Sequence, residues 1–164
     1  LDGQEIVARD EFIAKIKAAA AARRDPDFVI IARTDARAVA ALDEAIARAN
    51  EALAVSADMA FVEAMQTMEE VTAVPRRGQG PGLRNVGPGG KTPLIAMPEA
   101  QRLGYRLAIH PGLVFSAVMQ AADHALQTLK ETHLPPPGPR RTSIADTFRR
   151  FGTEDWDRLR RKAG

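Results

Sequence analysis

Four short apolar runs recur along this chain with helical pattern between them, and that rhythm limits the possible folds more than any other feature. The runs are Phe28–Ala32, Met59–Val62, Pro81–Val86 and Leu107–Ile109. Each has the length of a buried strand. The first is almost continuously β-branched or aromatic, as parallel strands covered on both faces tend to be. The third, with Pro81, Gly82 and Arg84, is a poor strand on propensity and is assigned from its place in the rhythm. Strand followed by helix, four times over, is the grammar of a parallel α/β sheet or barrel. A complete (β/α)8 barrel takes about 250 residues, and this chain has 164. The expected fold is therefore α/β: half of such a barrel, four parallel strands with their helices.

The intervening helices have readable ends. Asp10 is expected to cap a helix reaching about Arg24, with Phe12, Ile13 and Ile16 on one face. Leu42, Ala45, Ile46, Ala49 and Leu53 repeat at three and four, predicting a second helix over Ala38 to Ala54. Thr67 and Glu70 fit a capping box, each satisfying one orphaned backbone N–H. Pro98 and Gly104 bracket a short helix by the usual asymmetry. A long helix is predicted over Leu113 to Thr132; its first half is apolar nearly all round, which predicts burial on more than one side.

The domain organisation expected is a half-barrel over 1–132, a proline-rich linker over 133–141 and a helical tail over 142–164. In the tail, Ser143 and Thr153 are expected to cap two short helices presenting Ile144, Phe148, Phe151, Trp156 and Leu159. These apolar groups are too few to form a core and call for a surface to cover, on the same chain or on a partner subunit.

Composition excludes several classes of function. There are no cysteines, so thiolate metal sites are out; with only three histidines an all-histidine zinc site is not expected, and a metal here would want oxygen ligands. No run of about 18 apolar residues exists and the first residues carry no secretory pattern, so a cytoplasmic protein with no membrane contact is the default expectation. The arginines of the tail lack an aromatic stacking platform, so a solvated helix is expected there and not a nucleic-acid surface. A chain beginning at Leu1 is expected to be a trimmed product or a fragment.

In parallel α/β folds, reactive groups gather where the strands end. The polar residues at those points are Arg33-Thr34-Asp35, Glu63, Asn85 and His110. A guanidinium, a carboxylate and an amide converging on one mouth can hold an anionic substrate and a hard divalent cation. Taken singly, a charged residue after a strand is more often part of a structural ion pair.

Four segments then make a resemblance. They are Phe28 to Ala36 (FVIIARTDA), Ala57 to Ala64 (ADMAFVEA), Asn85 followed by Gly89 to Leu94 (GGKTPL), and Leu103 to Pro111 (LGYRLAIHP). In order and spacing they resemble successive strand motifs of the isocitrate lyase and phosphoenolpyruvate mutase superfamily. The branch most similar holds methylisocitrate lyase, oxaloacetate decarboxylase and carboxyphosphonoenolpyruvate phosphonomutase. The resemblance covers roughly Leu1 to Thr132 and implies the C-terminal half of a TIM-type barrel with a helical appendage. It also implies a magnesium-dependent carbon–carbon lyase, with manganese as the alternative ion, acting on a small 2-substituted di- or tricarboxylic acid of the methylisocitrate, isocitrate or oxaloacetate type through an enolate. Carried over by motif, Arg33 pairs with a substrate carboxylate, Glu63 hydrogen-bonds substrate or a metal-bound water, and Asn85 holds a second carboxylate. Val86 and Gly87 shape the same pocket. Asp35 is expected to orient Arg33 or the following turn, and Lys91 and Thr92 to serve the loop. A homo-oligomer built through the C-terminal helices is also implied.

The match departs from the family in several places. The family's magnesium-binding aspartates lie on earlier strands, and its loop with lysine, cysteine, glycine and histidine precedes the position matching Leu1. Neither is in this chain, which is therefore expected to be inert alone and prone to self-associate, with two open sheet edges. His110 stands where tyrosine is common and is read as a ligand, a donor or, first, a packed imidazole. Ser116 replaces an arginine found in some members. Ser56 takes the place of a helix-ending glycine, at a cost of about 1 kcal/mol. Arg76 to Gly82 is expected to be flexible and locally disordered. The competing readings are a non-catalytic half-barrel relic or oligomerisation module, and a phosphonomutase of the same superfamily.

Overall fold

The computed structural model describes residues 3–87, 89–137 and 143–162. The strands are β1 (Ile31–Thr34), β2 (Met59–Val62), β3 (Gly82–Asn85) and β4 (Tyr105–Ile109). They form one sheet in the order β1-β2-β3-β4, every neighbouring pair parallel. This is the α/β partial barrel that the strand–helix rhythm predicts. The helices are α1 (Arg9–Ala22), α2 (Ala36–Val39), α3 (Leu42–Ala54), α4 (Met68–Arg77), α5 (Met97–Leu103), α6 (Leu113–Thr132), α7 (Ile144–Arg150) and α8 (Thr153–Lys162). No helix among the described residues is long and apolar enough to cross a membrane.

The chain divides into two compact units, Leu1–Phe115 and Ser116–Gly164. In the first, the core lies between the sheet and its helices. The stripe on α3 is built largely from alanine, and Ala45, Ile46, Ala49 and Ala52 are all buried, which lets the helix approach Ala60 and Val62 of β2 closely. Phe12, Ile13 and Ile16 of α1 pack on a second cluster of Ile30, Ala32, Ala52 and Ala57. Arg48 is buried on α3 and satisfied there by Glu44 at 2.7 Å and the Val7 carbonyl at 2.8 Å.

Several local expectations change. Ala8, not Asp10, precedes α1, and the Asp10 carboxylate instead accepts the neighbouring Glu11 N–H. The predicted helix over 38–54 is two helices, because Ala40 leaves helical geometry between α2 and α3. β1 starts at Ile31, since a turn from Asp25 to Phe28 occupies the preceding residues and the Asp58 carboxylate takes the Ile30 N–H at 2.8 Å. Half of the capping box forms: Thr67 accepts the Glu70 N–H, but Glu70 turns to Gln66 and Arg37.

The stretch Arg76 to Gly82 is ordered against expectation. α4 runs to Arg77, and the Asn50 side chain clamps the exit, donating to the Arg77 carbonyl and accepting the Gln79 N–H. Ser56 has φ of 82°, the left-handed turn in which glycine is favoured, and Gly104 has φ of 111° after α5.

α6, which begins at the end of the first unit and continues into the second, has its predicted bounds but buries none of its residues. α7 carries a complete capping box between Ser143 and Asp146. Thr153 is not a cap: it is the first residue of α8, and its hydroxyl donates to the Phe148 carbonyl. The linker beyond Pro137, with Arg140 and Arg141, lies outside the described residues.

Candidate functional site

Parallel pairing fixes which side chains share a face, because paired residues point the same way and neighbours along a strand alternate. Arg33 of β1 is level with Phe61 of β2, and the Arg33 guanidinium lies 5.2 Å from the Phe61 ring centre. Two residues beyond Phe61, Glu63 returns to that face, and its N–H continues the ladder to the Thr34 carbonyl. Ala60 pairs with Gly82, so Asn85 stands as far along β3 as Glu63 stands beyond β2. Arg33, Glu63 and Asn85 thus come from three adjacent strands at their C-terminal ends and face one side.

The geometry around Arg33 is set by Asp35. Its two oxygens accept from Arg33 Nε at 2.9 Å and Nη2 at 3.0 Å. This pair is the first cause of the guanidinium's being held more firmly protonated than usual, with Glu63 adding to it. Asp35 therefore orients the arginine, as expected from its place in the motif. Arg33 Nη1 has no protein partner among the described residues, and the side chain is 52% exposed, so donors remain for a ligand.

Glu63 has a different environment. Oε2 lies 3.7 Å from Arg33 Nη2, too far for a hydrogen bond, and is buried without a hydrogen-bond partner among the described residues. Its other oxygen accepts the Ala64 N–H at 3.2 Å. A buried carboxylate oxygen left open beside a guanidinium is an acceptor waiting for a polar group. Ala64 has φ of 63°, an uncommon conformation for a residue with a side chain.

Val86 is buried directly after Asn85, and Gly87 is half-buried. Lys91 is exposed on the loop that follows. His110 closes β4 at the same end of the sheet, but it is exposed, so the packed-imidazole reading is corrected: the ring has no core to enter.

Sequence reasoning missed Arg84. It is 1% exposed on β3 and alternates with Asn85, so it lies on the helix side of the sheet. Its Nη2 donates to the Pro93 carbonyl, its guanidinium lies 5.6 Å from the Tyr105 ring centre, and Nε and Nη1 have no partner among the described residues. Tyr105 donates to the Val71 carbonyl at 2.9 Å, and burial pushes its hydroxyl up to about 12. The alternation of β3 was the signal that separates Arg84 from the site.

As a metal site, the described residues are incomplete. No group of three His, Cys, Asp or Glu is placed among them to hold an ion. Glu63 offers a single open oxygen, with a guanidinium beside it.

The family described as Phosphoenolpyruvate phosphomutase matches residues 2–130. The 2,3-dimethylmalate lyase of Eubacterium barkeri is 41% identical over 109 residues, covering 66% of this chain and 38% of that protein. The 2-methylisocitrate lyase of Aeropyrum pernix is 36% identical over 131 residues, covering 80% of this chain and 42% of its own length. This chain thus spans about two fifths of those curated relatives. Among solved structures, oxaloacetate acetylhydrolase in complex with the inhibitor 3,3-difluorooxalacetate has a TM-score of 0.92 at 30% identity, covering all of this chain and 56% of that one.

Proposed function

Because the chain belongs to the phosphoenolpyruvate phosphomutase family, we propose that it supplies the carboxylate-binding mouth of a carbon–carbon lyase for a small 2-substituted acid of the methylisocitrate, isocitrate or oxaloacetate type. The observation that carries this reading is the alignment of Arg33, Glu63 and Asn85 on one face, with Arg33 already oriented by Asp35. A guanidinium braced on one edge presents its remaining donors to a planar carboxylate, and an adjacent amide can hold a second one. Glu63 accepts a hydrogen bond from the ligand or from a metal-bound water at its open oxygen. Val86 and Gly87 form the wall beside Asn85.

Glu63 would hold magnesium, or manganese as the alternative, through a water, with the other ligands coming from outside this chain; the ion would supply positive charge to offset negative charge developing on the substrate. The chain alone is inert in this reading, having no thiol and one metal-site residue. The exposed Ile144, Phe148, Phe151, Trp156 and Leu159 of α7 and α8 are assigned to contact with a second copy, because side chains of that size at 59% to 77% exposure are unfavourable in water.

Titration of the isotope-labelled chain with oxalate, with and without magnesium, tests the site. The Arg33 Nε–H and Asn85 side-chain amide signals are expected to move together, and Arg33→Met is expected to abolish the response. Movement confined to other arginines would sink the assignment. Release of pyruvate or glyoxylate by the purified chain would overturn the inert reading.

A further inference from the structure

One ion pair in the Leu1–Phe115 unit joins the segments that leave β1 and β2. Arg37 lies in α2, directly after Arg33-Thr34-Asp35, and Glu70 in the first turn of α4, seven residues beyond Glu63. Arg37 Nε donates to Glu70 Oε1 at 2.8 Å, and Nη2 lies 2.7 Å from the same oxygen as an ion pair. The second oxygen, Oε2, accepts the Gln66 N–H at 2.7 Å. A single carboxylate therefore grips the exit turn of one strand with one oxygen and the backbone leaving the next strand with the other. The two side chains are 21% and 15% exposed, so the pair is shielded far more than an ordinary surface bridge.

The segments it joins are those that carry Arg33 and Glu63. On one side, Asp35 fixes Arg33, and the Thr34 hydroxyl accepts the Ala36 N–H at the start of α2. On the other, Ala64 holds a left-handed conformation that needs outside support, with Met65 buried beside it and Gln66 bound by Glu70. Neither helix needs the ion pair to stay attached, since Ala36 of α2 and Val71 of α4 are both fully buried. What the pair adds is the relation between the two exits.

We propose that Arg37 and Glu70 are positioning residues, whose ion pair sets the separation between the Arg33 guanidinium and the Glu63 carboxylate and so the size of carboxylate the mouth accepts. The ligand class rests on the carboxylate-binding reading above; the mechanical tie does not.

The test uses the full chain with Arg37→Met, Arg37→Lys and Glu70→Gln, the last keeping an acceptor for Gln66. Oxalate affinity is measured by titration, hydrogen exchange at Ala64 to Gln66 is followed, and the Arg33 Nε–H shift is recorded without ligand. Loss of one shielded, charge-assisted contact is expected to weaken oxalate binding and speed exchange by about tenfold. Arg37→Lys is expected to recover part of both, because an ammonium still reaches Glu70. Unchanged exchange and an unchanged Arg33 shift in Arg37→Met and Glu70→Gln would overturn the tie. So would an Arg37→Lys chain no better than Arg37→Met, or losses that only track the thermal midpoint. If the unaltered chain binds no oxalate, the carboxylate reading fails by itself, and exchange and the Arg33 shift still decide the tie. If Arg37→Met does not fold, Glu70→Gln and Arg37→Lys decide it.

Discussion

The two compact units carry apolar residues of similar kind with opposite outcomes. In Leu1–Phe115, Ala45, Ile46, Val62 and Val71 are buried between sheet and helices. In Ser116–Gly164, α7 and α8 bury nothing, although α7 is capped at both the Ser143 hydroxyl and the Asp146 carboxylate and α8 has a clear apolar face in Trp156 and Leu159. Capping operates in both units, as a complete box on α7 and as half of one on α4. Capping and amphipathic spacing form a helix, and only a facing surface turns it into tertiary stability.

The contrast breaks most visibly in the core. Ile46→Ala is expected to cost about 2–5 kcal/mol in urea unfolding, whereas Trp156→Ala is expected to change stability by less than about 0.5 kcal/mol and to reduce self-association seen by sedimentation. Equal losses in the two variants would erase the distinction. Arg84→Met sharpens it from within the ordered unit. A buried guanidinium with two nitrogens unpartnered among the described residues opposes folding, so its replacement by an apolar chain is expected to stabilise by about 1–4 kcal/mol. A loss of stability would show that Arg84 gains more from Pro93 and Tyr105 than it loses in desolvation. A smaller gain is expected at Ser56→Gly: relieving φ of 82° raises stability by about 1 kcal/mol in thermal melts.

Much of this architecture was legible because it depends on period and position. The apolar runs located all four strands, and the rule that function gathers at strand ends picked out Arg33, Glu63 and Asn85, which the sheet brings to one face. What escaped notice depends on partners distant in sequence. By spacing Glu70 closes a local box with Thr67, but a guanidinium 33 residues away offers a stronger partner than a backbone N–H. Phe28 and Val29 read as strand because their side chains are apolar; the chain there is committed to a turn that Asp25 and Asp58 stabilise. For α6 the bounds were written in the sequence and its surroundings were not, since a helix apolar on all sides says that something covers it without saying what.

On β3, Arg84 and Asn85 are consecutive and point to opposite sides. Removing a single residue between Gly78 and Gly82 would rotate the strand by one position. Val86 would then occupy the place of the amide, the amide would enter the layer beneath the helices, and Arg84 would turn to the other side in the place of Leu83. The ligand preference of the mouth is thus tied to the length of a connecting segment that never touches it.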